Sequence, residues 1–149
     1  MNNILLFNLN NETFGFELKY VKEILECEDI KPIPLTPPFI TGILNRRGKF
    51  LTIINIALLL GISSEQISQD SKIISLSHNE MDIGFLVKNV IGIKSFDLSE
   101  KEQLDRIIND KENGFYKTII KNLGNKDKVI ILDLESIFNF LRNYKFKKV

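Results

Sequence analysis

The sequence predicts a mainly β fold, a pseudo-symmetric pair of small β-barrels packed around a shared core, with short helices and a C-terminal helix. Short runs of alternating apolar residues carry the two-residue period of strands. A pattern of nine positions in the first half returns in the second half at one constant offset. All four prolines fall within one short connector, which separates one strand-rich segment from the next. At 149 residues the chain is one compact unit, too short for two independent large domains. We read it as a single domain over residues 1–149, with lobes at approximately 1–62 and 71–149, and exchange of strands between the lobes is left open.

Leu5, Phe7 and Leu9 alternate with Leu6, Asn8 and Asn10, Asn10-Asn11 supplies turn chemistry, and Phe14, Phe16 and Leu18 resume the alternation. This is a β-hairpin. The stretch Ile30 to Pro38, with Pro32, Pro34, Pro37 and Pro38, is a rigid extended connector that fits neither a helix interior nor a central strand. Thr41 to Asn45 and Lys49 to Ile54 are β-rich runs on either side of Arg46-Arg47-Gly48, a second hairpin whose Gly48 suits a tight reversal. Ile56 to Leu60 then has room for one or two helical turns, with Gly61 as the stop.

In the repeat, Leu5, Phe7, Phe14, Gly15, Phe16, Leu18, Lys19, Val21 and Ile24 match Ile74, Leu76, Ile83, Gly84, Phe85, Val87, Lys88, Val90 and Ile93. Further on, Leu51, Ile53, Ile54, Asn55, Ile56 and Leu59 match Val129, Ile131, Leu132, Asp133, Leu134 and Ile137, a strand running into a helix with Asn or Asp at the junction. The last hairpin turns at Gly124-Asn125, between Phe115 to Leu123 and Lys128 to Leu132. The final helix, Leu134 to about Lys145, places Ile137, Phe138, Leu141 and Tyr144 on one face. Neither half buries enough surface alone, so the lobes share a core, and the groove between them is the natural place for a partner.

Composition narrows the function. Twenty basic against nineteen acidic residues give a net charge of +1, with no global field to draw the chain onto nucleic acid or anionic lipid. The basic run Lys145 to Lys148 reads as a solvated chain end. Asn2 and Asn3 open a strand-like segment without the basic start and apolar run of a signal peptide, and Leu51 to Ile62 is too short to span a bilayer, so a cytoplasmic location without membrane insertion is expected. Cys27 is the single cysteine and His78 the single histidine, so neither a disulfide nor a metal or Cys–His catalytic set is expected, and His78 reads as a turn residue. Glu12, Glu17, Glu23 and Glu26 fall on turns and a solvated face, and no glycine loop cradles phosphate. The expectation is a protein that binds other proteins, without catalytic residues or cofactor.

Phe14-Gly15-Phe16 with Val21, Glu23 and Ile24, then Pro34, Phe39-Ile40, Gly42-Ile43 and the turn Asn45-Arg46-Arg47-Gly48, resemble the signature of the CheW family of chemotaxis coupling proteins, over essentially the whole chain. The resemblance implies two intertwined five-stranded SH3-like barrels, no enzymatic activity and no cofactor. It also implies a task, joining the cytoplasmic domain of methyl-accepting chemoreceptors to the regulatory domain of the histidine kinase CheA in cytoplasmic arrays at the membrane. By position it assigns receptor binding to Val21, Glu23, Ile24, Gly42, Asn45, Arg47 and Gly48, with Glu23 and Arg47 as a structural salt bridge. It assigns no kinase-binding residue. Gly42 has its own rationale, since a residue without a side chain lets a partner helix approach the backbone closely.

The chain departs from the family pattern in three places. Arg46 stands where Leu is usual and adds a charge beside the expected receptor surface; Thr52 and Asn55 replace Pro and Asp; and the charged stretch Ser99 to Asp110 replaces a proline-containing one. A CheW-like scaffold of another kinase pathway, such as pilus or surface motility, or a paralogue that modulates array composition, fits the same residues. A small-barrel nucleic-acid-binding module fits the fold but lacks a basic face interleaved with aromatics.

Overall fold

The computed structural model describes residues 2–63, 67–96, 114–123 and 126–144. The Gly124-Asn125 turn, the Ser99 to Asp110 stretch and the basic run from Lys145 lie outside the described residues. The first half holds β1 (Asn2–Leu9), β2 (Glu12–Glu17), β3 (Val21–Glu26), β4 (Ile40–Arg46), β5 (Lys49–Asn55) and α1 (Ile56–Leu59). The second holds β6 (Lys72–His78), β7 (Met81–Val87), β8 (Asn89–Phe96), β9 (Tyr116–Leu123), β10 (Lys126–Leu132) and α2 (Leu134–Asn143). Leu18, expected to continue β2, instead opens a 3-10 turn over Leu18–Tyr20 that swings the chain away from β1.

The strands form two five-stranded sheets, in the orders β8-β1-β2-β10-β9 and β3-β6-β7-β5-β4. Each sheet draws strands from both halves of the chain: β3 leaves its own hairpin to pair with β6, and β8 crosses to β1. The repeat is visible in the registers. Leu5 faces Phe16 as Ile74 faces Phe85, and Phe7 faces Phe14 as Leu76 faces Ile83. The two parallel contacts match as well, with Ile131 beside Gly15 and Ile53 beside Gly84.

Strand alternation divides the apolar residues among three cores. Phe7, Phe14, Phe16, Ile54, Ile74, Leu76 and Phe85 point between the sheets and, with Leu134, Ile137, Phe138 and Leu141 of α2, form the main core. On the opposite faces, Ile4, Leu6, Ile120, Val129 and Ile131 fill one small core, and Leu44, Leu51, Ile53, Ile73 and Leu86 fill the other. Gly15 and Gly84 face these small cores. A Cβ at Gly15 would lie 2.6 Å from Ile4 Cγ2, and one at Gly84 would lie 2.7 Å from Ile73 Cγ2. The Phe-Gly-Phe motif thus combines large side chains toward the shared core with an empty position toward a narrow one.

Asn55 and Asp133, the repeated junction residues, are helix N-caps: the Asn55 side chain accepts the Leu58 N–H at 3.2 Å, and Asp133 Oδ1 accepts the Ser136 N–H at 3.1 Å. Among the described residues, no helix is long and apolar enough to cross a membrane.

Candidate functional site

The residues singled out from sequence lie on both outer strands of the second sheet. Val21, Glu23 and Ile24 are on β3, Gly42 and Asn45 on β4, and Arg47-Gly48 form the loop from β4 to β5. β3 and β4 are opposite edges of this sheet, yet a charged contact joins them.

Two irregularities in strand register aim these residues. Between Val21 and Glu23 the pairing with β6 shifts, so that Val21 faces Leu76 and packs against the main core, while Glu23 faces Ser75. From there alternation puts Glu23 on the face of Leu25, over the small core of the second sheet, and turns Ile24, 44% exposed, to the other face. β4 has a matching shift between Ile40 and Gly42. Beyond it, Arg46 shares the face of Leu44, and Asn45 lies exposed on the other, opposite Phe50 of β5.

The hairpin loop is one residue shorter than the sequence suggests. Arg46 is still in the strand, paired with Lys49, and only Arg47 and Gly48 form the loop, at φ 54° and 81°. Positive φ at both central residues is what a two-residue hairpin of the I′ type requires. The shift of one residue decides the ion pair. Arg46 Nε donates to Glu23 Oε1 at 3.0 Å and its Nη2 reaches Oε2 at 3.5 Å, whereas Arg47 Nη2 stands 3.9 Å from Oε2. The expected Glu23–Arg47 bridge is therefore the weaker arm of a three-residue cluster in which Arg46, not selected from sequence as a site residue, holds the carboxylate. The side chains of Glu23 and Arg46 are 32% and 42% exposed, so water screens the cluster. The hydrogen bond from Arg46 holds the Glu23 carboxyl below its ordinary range, and the same bond raises Arg46.

Gly42 faces its own chain. The connector after β3 returns along β4, where Lys31 and Ile43 exchange backbone hydrogen bonds of 2.8 and 2.9 Å. A Cβ at Gly42 would run into the Lys31 carbonyl and would lie 2.9 Å from Ile30 Cγ2. The close backbone approach that Gly42 permits is thus that of the proline connector, and a substitution there acts on folding first.

Other expectations change in detail. His78 ends β6 instead of sitting in the turn, and its ring packs on Tyr20 and Phe138 at centroid distances of 5.3 and 5.4 Å, a structural role on the main core. Glu17 is largely enclosed, with Lys117 at 3.1 Å and Lys19 at 3.4 Å. Burial pushes its carboxyl up, but Lys117 and Lys19 outweigh this and leave it below its ordinary value. Cys27 is half-buried, and burial pushes its thiol up, away from the reactive thiolate.

The family model described as "CheW-like domain" matches residues 3–142, nearly the whole chain and all the residues just placed. The chain belongs to the CheW-like family. Among CheW relatives, the chemotaxis protein CheW of Thermotoga maritima is 29% identical over 135 residues, covering 90% of this chain and 85% of that protein. The chemotaxis protein CheW of Bacillus subtilis is 22% identical over 137 residues, covering 89% and 88%. The crystal structure of the scaffolding protein TtCheW from Thermoanaerobacter tengcongensis superposes with a TM-score of 0.78 at 29% identity, over 89% of this chain and 84% of that one. Membership makes this CheW-like chain a chemotaxis scaffold or adaptor and agrees with the mainly β, two-sheet architecture.

Proposed function

We propose that the chain is a non-enzymatic, cytoplasmic coupling protein that joins the cytoplasmic tip of a chemoreceptor to the regulatory domain of the histidine kinase CheA. The observation that carries this reading is the family match across residues 3–142. The surface fits a helical partner: Ile24 is an exposed apolar residue on the outer strand β3, the half-buried Val21 borders the main core, and the Glu23 cluster and Asn45 supply polar contacts nearby. Modest single contacts suffice in an array, because neighbouring sites raise the effective concentration.

The test is a titration of the purified chain against a chemoreceptor cytoplasmic fragment and, separately, against the kinase regulatory domain. Ile24→Lys serves as the probe because it changes an exposed side chain. Saturable binding to both partners, with receptor binding lost in Ile24→Lys and kinase binding retained, supports the proposal. A folded sample that binds neither partner overturns it.

A further inference from the structure

We propose that three ion pairs joining the two halves, Glu26–Lys72, Lys22–Asp82 and Glu17–Lys117, form a pairing code. They make each half take the unlike half as its partner, and so keep two copies of the chain from joining through their like halves. The need for such a code follows from the repeat. β3 on β6 and β8 on β1 share one register: Ile24 faces Ile74 as Ile93 faces Leu5, and Glu23 faces Ser75 as Gly92 faces Leu6. Even the bulge recurs, at Lys22 and at Ile91. Backbone pairing therefore accepts β8 of a second copy on β6, or β3 of a second copy on β1, as readily as the native strand. A closed assembly of like halves from two chains is the competing structure.

Side chains decide between the two. Glu26 Oε2 lies 3.0 Å from Lys72 Nζ, where the equivalent contact is a neutral hydrogen bond of 2.6 Å donated by Ser95 Oγ to Asn3 Oδ1. Lys22 Nζ lies 3.7 Å from Asp82 Oδ1, and the equivalents of this pair are Ile91 and Thr13. Lys117 Nζ lies 3.1 Å from Glu17 Oε1, and the equivalents there are Thr41 and Leu86. These are the ion pairs between the halves among the described residues, and each has a neutral counterpart in the repeat. Pairing of like halves would set Glu26 against Asn3, Lys72 against Ser95 and Asp82 beside Ile91. All six charges would lose their partners in the other half. Glu17, with a side chain only 18% exposed, would lose most and keep Lys19 alone.

The experiment refolds the full chain from urea over a range of concentrations and reads its mass by light scattering, with circular dichroism as the check of fold. In one variant each charge takes its repeat equivalent: Glu17→Leu, Lys22→Ile, Glu26→Ser, Lys72→Asn, Asp82→Thr and Lys117→Thr. Its dimer fraction is expected to rise about tenfold over the unsubstituted chain. A second form of this variant carries Asn3→Cys, Cys27→Ser and, at position 26, Glu26→Cys. Oxidation should link two chains in it, because positions 3 and 26 face each other when β1 holds β3 of a second copy. Glu26→Lys alone should raise the dimer fraction about 3-fold, and Glu26→Lys/Lys72→Glu should restore the monomer. A six-residue variant with the dimer fraction of the unsubstituted chain overturns the inference. So does a dimer without the disulfide, which is an exchange of unlike halves. If the six-residue variant does not fold, the charge-reversed pair decides: a dimer fraction as high in Glu26→Lys/Lys72→Glu as in Glu26→Lys overturns the code.

Discussion

Arg46 Nε lies 3.0 Å from Glu23 Oε1 and so links β4 to β3, the two outermost strands of one sheet. The pair closes the open side of that sheet above the small core of Leu44, Leu51, Ile53, Ile73 and Leu86. Arg47 comes no nearer than 3.9 Å. In a double-mutant cycle, Glu23 should therefore couple more strongly to Arg46 than to Arg47. Urea midpoints of Glu23→Ala, Arg46→Ala, Arg47→Ala and the two double variants measure this. A Glu23–Arg47 coupling equal to or larger than the Glu23–Arg46 coupling would contradict the geometry.

The same carboxylate gives the stability a pH dependence with a definite sign. Arg46 holds Glu23 below its ordinary value, and Glu17 is also lowered, its burial outweighed by Lys117 and Lys19. Both groups bind their protons more weakly in the folded chain than in the unfolded one. Their contribution is complete above the unfolded glutamate value of about 4.3 and is lost as pH falls through the folded values below it. Urea unfolding at intervals from about pH 7 to about pH 3 should show this loss, and Glu23→Gln should flatten part of it. A Glu23→Gln profile as steep as that of the unsubstituted chain would argue against the assignment.

Glycine positions make a sharper packing test. Gly84→Ala would place a methyl group 2.7 Å from Ile73 Cγ2 and 2.9 Å from Ile53 Cδ1, at a cost of about 1–3 kcal/mol for overpacking. Trimming the neighbour, in Gly84→Ala/Ile73→Val, should recover part of the loss. At Gly42 the obstacle is the Lys31 backbone, which cannot rotate aside, so Gly42→Ala should cost about 3 kcal/mol or more. Thermal melts decide both cases. If Gly42→Ala melts like the unsubstituted chain, the connector yields easily and Gly42 becomes a fair position from which to probe docking.

The legible part of this fold was whatever alternation and repetition encode. The Phe-Gly-Phe hairpin, its copy at Ile83-Gly84-Phe85 and the Asn55 and Asp133 junctions stand where the sequence places them, because each rests on local period or turn chemistry. The origin of each sheet's strands was not legible. The apolar faces of β3 and β8 do not name a partner, and the exchange shows only in the pairing of β3 with β6 and β8 with β1. At the site, what separates Arg46 from Arg47 as the nearer partner of Glu23 is a single residue of loop length, but in a strand one residue reverses the side-chain direction. The parity was available: Glu23 lies two residues before Leu25, and Arg46 two after Leu44. Lys117 beside Glu17 was out of reach, since no local pattern joins positions so distant in the chain.

Strand exchange predicts that the molecule unfolds as one unit. Without the second half, β1 and β2 would lack β8, β10 and β9, while β3, β4 and β5 would lack the β6–β7 hairpin between them. Phe7, Phe14 and Phe16, fully buried in the intact chain, would lose the face of Phe85 and the α2 residues that cover the main core. Urea unfolding followed by far-ultraviolet circular dichroism and by tyrosine fluorescence should give coincident single transitions. A fragment of residues 1–63 should be unfolded alone and should gain strand structure when mixed with residues 67–149, because each supplies strands to both sheets. Two separated transitions, or a cooperatively folded 1–63 fragment, would mean that one half holds a complete core of its own, which neither sheet's strand order allows.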